Sequence, residues 1–218
     1  MAVTDAEVAA AMAAVRAASA LCDGAQGRLV AGDTLTKGDD SPVTVADFAA
    51  QAVVCAELAG RLGAVELVAE EDPADLRSDS ASSLRDGVVG LVTRHAGRPV
   101  GAETVLEWIG LGRCDGSTDR YWTLDPIDGT KGFVRGDQYA VALALVDRGE
   151  VVLGVLGCPN LPNPDGSRGA VFVAHDGRSR AWYADASEPV EVTVARPVSL
   201  AEARVCESVE SGHSDHAL

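Results

Sequence analysis

Two apolar runs in the second half of the chain restrict its possible folds more than any other feature. They cover residues 138–146 and 151–158, and the residues between them, Asp-Arg-Gly-Glu, are typical of a tight hairpin turn. A second pair of short runs, 170–174 and 181–184, flanks an Asp-Gly dipeptide and predicts another hairpin. An edge strand is expected at 189–194. Successive hairpins build an antiparallel sheet, so this part of the chain is predicted to be mostly strand.

The first part of the chain has the periodicity of helices instead. Thr4 and Glu7 form a capping-box pattern, which predicts a helix from there to about residue 30. Further helices are expected at 44–62, 83–95 and 103–109, and a short apolar strand is expected at 65–69. Helices that precede hairpins favour an α+β fold, in which layered helices pack on a mostly antiparallel sheet.

We expect residues 1–200 to form one such domain. At 204–208 the pattern predicts a strand that begins a new unit, but the sequence stops at residue 218. A domain rarely ends just after it starts an element. We therefore expect residues 201–218 to be the stub of a truncated C-terminal domain, which would be of the α/β type.

The chain is strongly acidic, and its charge narrows the classes of ligand. Lysine and arginine total 18 against 33 aspartate and glutamate residues, which gives a net charge of −15. Proteins that bind nucleic-acid polymers or anionic membranes need a basic face, so neither partner is expected. A small phosphorylated molecule remains possible if metal cations lie between it and the protein. The sequence has no secretory leader, and its five cysteines have no disulfide or zinc-site spacing, so a cytoplasmic location is expected.

A pair of aspartates follows the strand predicted at 121–124. Asp125 comes at the end of that strand, Pro126 interrupts the strand pairing, and Asp128 follows on a turn. Two carboxylates at this spacing can face one point, with the Ile127 carbonyl between them. Such oxygen ligands suit Mg²⁺. The alternative is an ordinary solvated turn that binds nothing.

A phosphate site is predicted directly after this pair. Gly129 and Thr130 begin what we expect to be a helical turn, and free backbone N–H groups at such a turn suit a phosphate. The chain contains only two lysines, Lys37 and Lys131, and both lie beside motifs of this kind.

Two further acidic positions are candidates for the same site. The acidic triplet 70–72 follows the strand predicted at 65–69, and Glu70 is its expected metal ligand, whereas Glu71 is expected to point elsewhere or to support the site. Asp47 lies in the first turns of a helix whose other residues are mostly apolar. Taken alone, the triplet is a charged loop and Asp47 a favourable partner of the helix dipole. Beside the aspartate pair, Glu70 becomes the bridging carboxylate of a two-metal site.

Several segments together carry a resemblance to a known family. They are Ser41-Pro42-Val43-Thr44 with Asp47 and Ala49-Ala50-Gln51, then Glu70-Glu71-Asp72, the run Asp-Pro-Ile-Asp-Gly-Thr-Lys-Gly-Phe at 125–133, and residues 135–140, 153–160 and 207–214. The sequence resembles the lithium-sensitive, Mg²⁺-dependent phosphatase superfamily of inositol monophosphatase and fructose bisphosphatase. Within it, the 3′(2′),5′-bisphosphate nucleotidase branch is the most similar, because simple inositol monophosphatases usually have Thr-Asn where this chain has Lys131-Gly132.

This resemblance implies a sugar-phosphatase-like N-terminal domain and a set of roles. Mg²⁺ would be held by Glu70, Asp125, the Ile127 carbonyl and Asp128. Asp47 and Thr130 would orient and deprotonate the attacking water, Gly129 and Thr130 would contact the phosphate, and His213 would contact the nucleotide. The implied reaction is hydrolysis of the 3′-phosphate of adenosine 3′,5′-bisphosphate to AMP and phosphate, with lithium as an inhibitor.

One departure from the family pattern bears on activity. The family carries a further metal-binding aspartate in a Trp-Asp motif of its C-terminal domain, and this sequence has no Trp-Asp pair. We therefore expect the 218-residue chain to be inactive or weak alone. Two alternatives remain open, namely an inositol phosphate phosphatase of the same superfamily and a catalytically dead phosphonucleotide-binding module that works through a partner.

Overall fold

A computed structural model describes residues 2–26, 34–36, 42–163, 165–184, 186–196, 199, 201 and 203. Within these ranges the helices are α1 (Asp5–Gln26), α2 (Val45–Leu62), α3 (Ser82–Ala96), α4 (Ala102–Gly110) and α5 (Thr130–Arg135), and short 3₁₀ turns lie at Pro73–Leu76 and Asp79–Ala81. The strands are β1 (Thr34–Thr36), β2 (Pro42–Thr44), β3 (Leu67–Ala69), β4 (Arg120–Asp128), β5 (Ala140–Asp147), β6 (Glu150–Pro162), β7 (Arg168–His175), β8 (Arg178–Tyr183) and β9 (Val190–Val192).

Seven of these strands form one sheet in the order β3-β4-β5-β6-β7-β8-β9, and β1 pairs with β2 separately. The β3–β4 pair is parallel, and every other described pair in the sheet is antiparallel. The predicted hairpins are present as β5–β6 and β7–β8, and β9 is the predicted edge strand. The α+β class with a mostly antiparallel sheet is therefore confirmed.

One face of the sheet carries a continuous apolar row. Leu124, Leu143, Val155 and Val173 lie opposite one another on four adjacent strands, and all four are buried. Helix α1 packs on β5 and β6, and α2 packs on β4. The core therefore lies between this row and the two long helices.

Helix α1 begins as its sequence predicts. The Thr4 N–H donates to Glu7 Oε2 at 2.8 Å, and the Glu7 N–H donates to Thr4 Oγ1 at 3.2 Å, which is a reciprocal capping box. This helix is long and apolar enough to span a membrane by length and composition alone. One of its faces, however, is buried against α2 and the sheet, as in the core helix of a globular domain.

An arginine fixes the start of α1 to the sheet. Arg120, the first residue of β4, donates to Glu7 Oε1 at 2.8 Å and to Asp147 Oδ2 at 2.7 Å. Despite burial, which raises the pKa of Glu7, the hydrogen bonds from Arg120 and Thr4 hold that pKa below its usual value. This network lies at the opposite end of β4 from the predicted aspartate pair.

Several boundaries differ from the predictions. The strand expected at 65–69 begins at Leu67. The turn expected after residue 124 does not form, because β4 absorbs Pro126 in an irregularity between Asp125 and Asp128 and pairs again at Asp128. The predicted end of the first helix, the strand at 204–208 and most of the predicted stub lie outside the described residues.

Candidate functional site

The parallel pairing of β3 with β4 places two acidic residues at the same edge of the sheet. Ala69 pairs with Leu124 at the last position of the ladder, and the next residues along the chain are Glu70 and Asp125. Glu70 is exposed and Asp125 is half-buried. Asp128, exposed at the end of β4, follows three residues later. The structure therefore gathers these three sequence-predicted carboxylates in one region.

The carboxylates repel one another. Burial, together with the nearby charges of Glu70 and Asp128, raises the pKa of Asp125 to about 6, although a hydrogen bond from the Ile127 N–H acts in the opposite direction. A carboxyl group that is both partly desolvated and surrounded by like charge is costly to ionise. A bound cation would remove most of that cost.

One oxygen of this cluster is also unpaired. Asp125 Oδ1 is buried and has no hydrogen-bond partner among the described residues. Buried oxygens are nearly always paired, so an orphan acceptor of this kind needs a partner such as an ion. Within the described ranges, no three His, Cys, Asp or Glu side chains converge closely enough to hold a metal ion already. The donor chemistry, all oxygen and negatively charged, nevertheless fits a hard divalent cation.

The segment after Asp125 presents a backbone carbonyl and a hydroxyl. The Ile127 side chain is buried in the core, which fixes its backbone. The Thr130 hydroxyl donates to the Ile127 carbonyl at 3.1 Å. Since a carbonyl oxygen has two lone pairs, it retains one for a further ligand. Gly129 is exposed and Thr130 half-buried at the start of α5, where backbone N–H groups lack helical partners.

Asp47 occupies a different environment. It is buried in the first turn of α2. Burial, with the added charges of Asp47 and Asp23, raises the pKa of Cys22 in α1. The Asp47 carboxylate therefore lies close to α1, on the inner side of the domain. Lys131 is exposed beside Thr130, whereas Lys37 and His213 lie outside the described residues.

Sequence reasoning gave no role to Gln51, which the structure places at the base of the acidic loop. This fully buried side chain donates through Nε2 to the Glu71 carbonyl at 2.7 Å and to the Ile109 carbonyl at 3.0 Å. Its Oε1 accepts from the Glu71 N–H at 2.9 Å. Gln51 therefore holds the residue after Glu70 in one orientation. The available signal was an amide one helical turn after Asp47 within an apolar helix.

A glycine makes room for this amide. A Cβ on Gly112 would lie 2.7 Å from Ala69 Cβ and 2.9 Å from Gln51 Nε2. Both distances are too short for any side chain, so the α4–β4 connection can pass this close to β3 only with glycine there. The Ala69 N–H donates to the Gly112 carbonyl at 2.9 Å, which fixes the end of β3 from that side.

Comparisons with known proteins identify a family and several relatives. A model described as "Inositol monophosphatase family" matches residues 3–217. The chain is 41% identical over 235 residues to 3'(2'),5'-bisphosphate nucleotidase 1 of Arabidopsis thaliana, covering 97% of this chain and 67% of that protein. It is 39% identical over 230 residues to the 3'(2'),5'-bisphosphate nucleotidase of Schizosaccharomyces pombe, covering 96% and 65%.

This chain matches a smaller share of a third relative. The identity to 3'(2'),5'-bisphosphate nucleotidase 1 of Candida albicans (strain SC5314 / ATCC MYA-2876) is 37% over 209 residues, covering 84% of this chain and 57% of that protein. A solved structure, the extragenic suppressor protein suhB from Bartonella henselae, has a TM-score of 0.47 at 21% identity and covers 82% of this chain and 51% of its own. The chain thus spans about two thirds or less of the curated relatives it matches.

Proposed function

The chain belongs to the inositol monophosphatase family, and from this we propose that it acts as a phosphoric monoester hydrolase. The proposed reaction is hydrolysis of the 3′-phosphate of adenosine 3′,5′-bisphosphate, with AMP and phosphate as products. The substrate is a small phosphorylated nucleotide rather than a nucleic-acid polymer. We also propose a cytoplasmic location and inhibition by lithium.

The observation that carries this proposal is the Asp125 carboxylate, which has one unpaired buried oxygen and lies near two further carboxylates. Its unpaired Oδ1 and the like charges of Glu70 and Asp128 favour a cation at this edge of the sheet. The N-terminus of α5 follows directly and offers N–H groups to an anion. A cation beside an anion-binding turn suits metal-assisted hydrolysis of a phosphate ester.

The family is metal-dependent, and we propose Mg²⁺ as the metal. Glu70, Asp125, the Ile127 carbonyl and Asp128 would hold it, because hard oxygen ligands of this kind suit Mg²⁺. When bound, the ion supplies positive charge that offsets the charge on the phosphate as its ester bond breaks. The exposed Lys131 adds a further positive charge beside the phosphate.

The chain's own residues account for the proton transfers in the proposed reaction. The Thr130 hydroxyl donates a hydrogen bond to the Ile127 carbonyl, so the hydroxyl oxygen can accept a hydrogen bond from the attacking water. Asp47 is the carboxylate proposed to take the water's proton. The water oxygen then forms the new bond to phosphorus as the bond to the 3′ oxygen breaks. The proton held by Asp47 returns through solvent to the 3′ oxygen, which leaves as the hydroxyl of AMP.

Support for a nucleotide substrate comes from two sources. Lys131-Gly132 stands where simple inositol monophosphatases usually have Thr-Asn. The three relatives described above, at 37–41% identity, are named bisphosphate nucleotidases. His213 is proposed to contact the nucleotide.

The test is phosphate release from adenosine 3′,5′-bisphosphate, with inositol 1-phosphate as the competing substrate, in the presence and absence of Mg²⁺. Because this sequence has no Trp-Asp pair, we expect weak Mg²⁺-dependent turnover of the nucleotide, and we expect Asp128→Asn to abolish it. The control is Asp176→Asn, in an exposed turn whose φ of 50° asparagine also tolerates. Turnover that survives in Asp128→Asn would contradict the assignment of the site.

Two other results would select the alternatives. Faster release from inositol 1-phosphate would indicate an inositol phosphate phosphatase. Mg²⁺-dependent nucleotide binding without release, in a folded sample, would indicate a binding module. If a folded chain neither bound the nucleotide nor released phosphate, both the enzyme and the binding-module hypotheses would be overturned.

A further inference from the structure

Helix α5 depends on contacts outside itself. It has six residues, too few to be stable alone, and it begins two residues after Asp128. Its Phe133 ring is buried edge-on against Tyr139, with the ring centroids 4.8 Å apart. A Cβ on Gly132 would collide with the Gln138 carbonyl oxygen, so the helix lies directly on the backbone that leads into β5. At its C-terminal end the Gly136 N–H donates to the Phe133 carbonyl at 3.1 Å, and the Asp137 N–H donates to the Gly132 carbonyl at 2.8 Å. Since a carbonyl oxygen has two lone pairs, that of Phe133 keeps one for a side-chain donor.

Two amide side chains from distant elements add hydrogen bonds to this backbone cap. Gln26, the last residue of α1, donates through Nε2 to the Phe133 carbonyl at 2.9 Å. Asn160, on β6, donates through Nδ2 to Gln26 Oε1 at 3.0 Å and to the Asp137 carbonyl at 2.7 Å. The pair therefore holds both the last turn of α5 and the loop that follows it.

The direction of these hydrogen bonds is fixed from both ends. Arg168 donates to Asn160 Oδ1 at 3.1 Å and to Asp23 Oδ1 at 2.9 Å. An arginine can only donate and the Phe133 carbonyl can only accept, so each amide between them has one consistent orientation. Asn160 must turn its NH₂ group toward Gln26, and Gln26 must turn its own toward α5. This chain of hydrogen bonds, from Arg168 through Asn160 and Gln26 to Phe133, therefore requires an amide side chain at both middle positions.

We infer that Gln26 and Asn160 are positioning residues for the reaction proposed above. By holding the C-terminal end of α5, they fix the direction of its first residues, Gly129 and Thr130, and the neighbouring Asp128. These groups face the phosphate and the attacking water in the proposed reaction. A shift of about 1 Å in such groups can cost 100-fold in rate without unfolding the protein. The inference rests on the proposed function and adds residues that themselves touch no substrate.

The outer end of this hydrogen-bond chain, at Arg168 and Asp23, lies at the surface. The Asp23–Arg168 pair lines an open groove of about 440 Å³ between α1 and strands β6 and β7, together with Ser19 and Pro159. The exposed ion pair contributes little stability by itself. Its proposed effect is to hold Asn160 in the orientation that the inner hydrogen bonds need.

The experiment compares Gln26→Ala, Asn160→Ala and the double variant with the wild-type chain. The matched control is Arg85→Ala, on helix α3, which contributes no residue to the site. Arg85 also donates a side-chain hydrogen bond to a backbone carbonyl, that of Leu76, at 2.9 Å. We expect kcat to fall by about 10- to 100-fold in both single variants, with KM changed less than about threefold. The double variant should lose little more than either single one, because the amides act as a unit.

Asn160→Asp separates positioning from simple ion pairing. The aspartate keeps the size and the contact with Arg168, but it cannot donate to Gln26 or to the Asp137 carbonyl. We expect it to be as impaired as Asn160→Ala. Recovery of wild-type kcat by this variant would overturn the inference.

A second measurement does not depend on turnover. The Phe133 N–H donates to the Gly129 carbonyl at 3.0 Å, and the Asp137 N–H donates to the Gly132 carbonyl at 2.8 Å. Amide hydrogen exchange at these two positions should become at least about 10-fold faster in Gln26→Ala, while core strands stay unchanged. Unchanged exchange, or unchanged kcat in both single variants of an active chain, would overturn the positioning role. Absence of turnover in the wild-type chain would instead overturn the proposed function.

Discussion

The buried Gln51 makes the sharpest prediction about the acidic loop. Replacing it with Met keeps the length of the side chain and adds no cavity, but it removes all three hydrogen bonds. The Ile109 carbonyl keeps another partner, since the Gly112 N–H donates to it at 3.0 Å. The Glu71 N–H and carbonyl lose their side-chain partner. The cost is therefore that of two backbone groups losing their Gln51 partner rather than three.

Each buried group left without a partner costs about 1–3 kcal/mol. The loop can relax toward water to some extent, so we take about 1.5 kcal/mol for each group. The expected loss in Gln51→Met is then about 3 kcal/mol of unfolding free energy. For a chain of this size, that corresponds to a melting temperature lower by roughly 6–12 °C. The control is Arg61→Ala, on the same helix, which removes only an exposed pair with Glu57 and should cost about 0.3–0.5 kcal/mol.

Urea unfolding followed by tryptophan fluorescence measures both variants, because Trp122 is buried in β4 beside β3. A change in the midpoint at constant m-value would report stability alone. If Gln51→Met lost less than about 1 kcal/mol, or no more than Arg61→Ala, the Glu71 backbone would have other partners. The amide would then not be what holds the acidic loop.

Four further substitutions have definite expected effects. Gly132→Ala should destabilise the chain by about 1–3 kcal/mol through overpacking, whereas Gly24→Ala, on the open side of α1, should stabilise it by about 0.4–1 kcal/mol in the same urea assay. Arg120→Met should lower the melting temperature. The pKa of Glu7 is depressed in the folded chain, so its ionised carboxylate stabilises the fold at a pH above 4.5, the usual pKa of this group, and this contribution is lost as the pH falls. The difference in melting temperature between wild type and Arg120→Met should therefore become smaller below that pH. Asp125→Asn should raise the melting temperature of the metal-free chain by relieving like-charge repulsion, and should abolish any shift caused by Mg²⁺.

Local patterns could be predicted from the sequence because their partners are close along the chain. The Thr4–Glu7 capping box and the hairpin between β5 and β6 each involve residues only a few positions apart. The helix and strand periodicities also act locally, and their order indicated the layered fold. For the same reason, the acidic residues at strand ends could be identified before their positions in space were known.

The supports of the site could not be predicted in this way. Gln26 and Asn160 are 134 positions apart, and Gln51 contacts a carbonyl 58 positions away. Gln51 has a local signal, since it is an amide within an apolar helix, but nothing in the local pattern distinguishes Gln26 and Asn160 from ordinary polar residues. The extension of β4 to Asp128 was missed for a related reason, because a proline normally ends strand pairing and only the neighbouring β5 shows that pairing resumes.

The location of the site follows from an exception within the sheet. Each hairpin in the described sheet joins adjacent antiparallel strands, which end at opposite edges. Had β3 paired with β4 in that way, Glu70 and Asp125 would lie at opposite ends of the two strands. The crossover through α3 and α4 makes the pair parallel and brings both carboxylates to one edge. The segment between residues 70 and 120 therefore creates the site through its path, although it supplies none of the proposed ligands after Glu70.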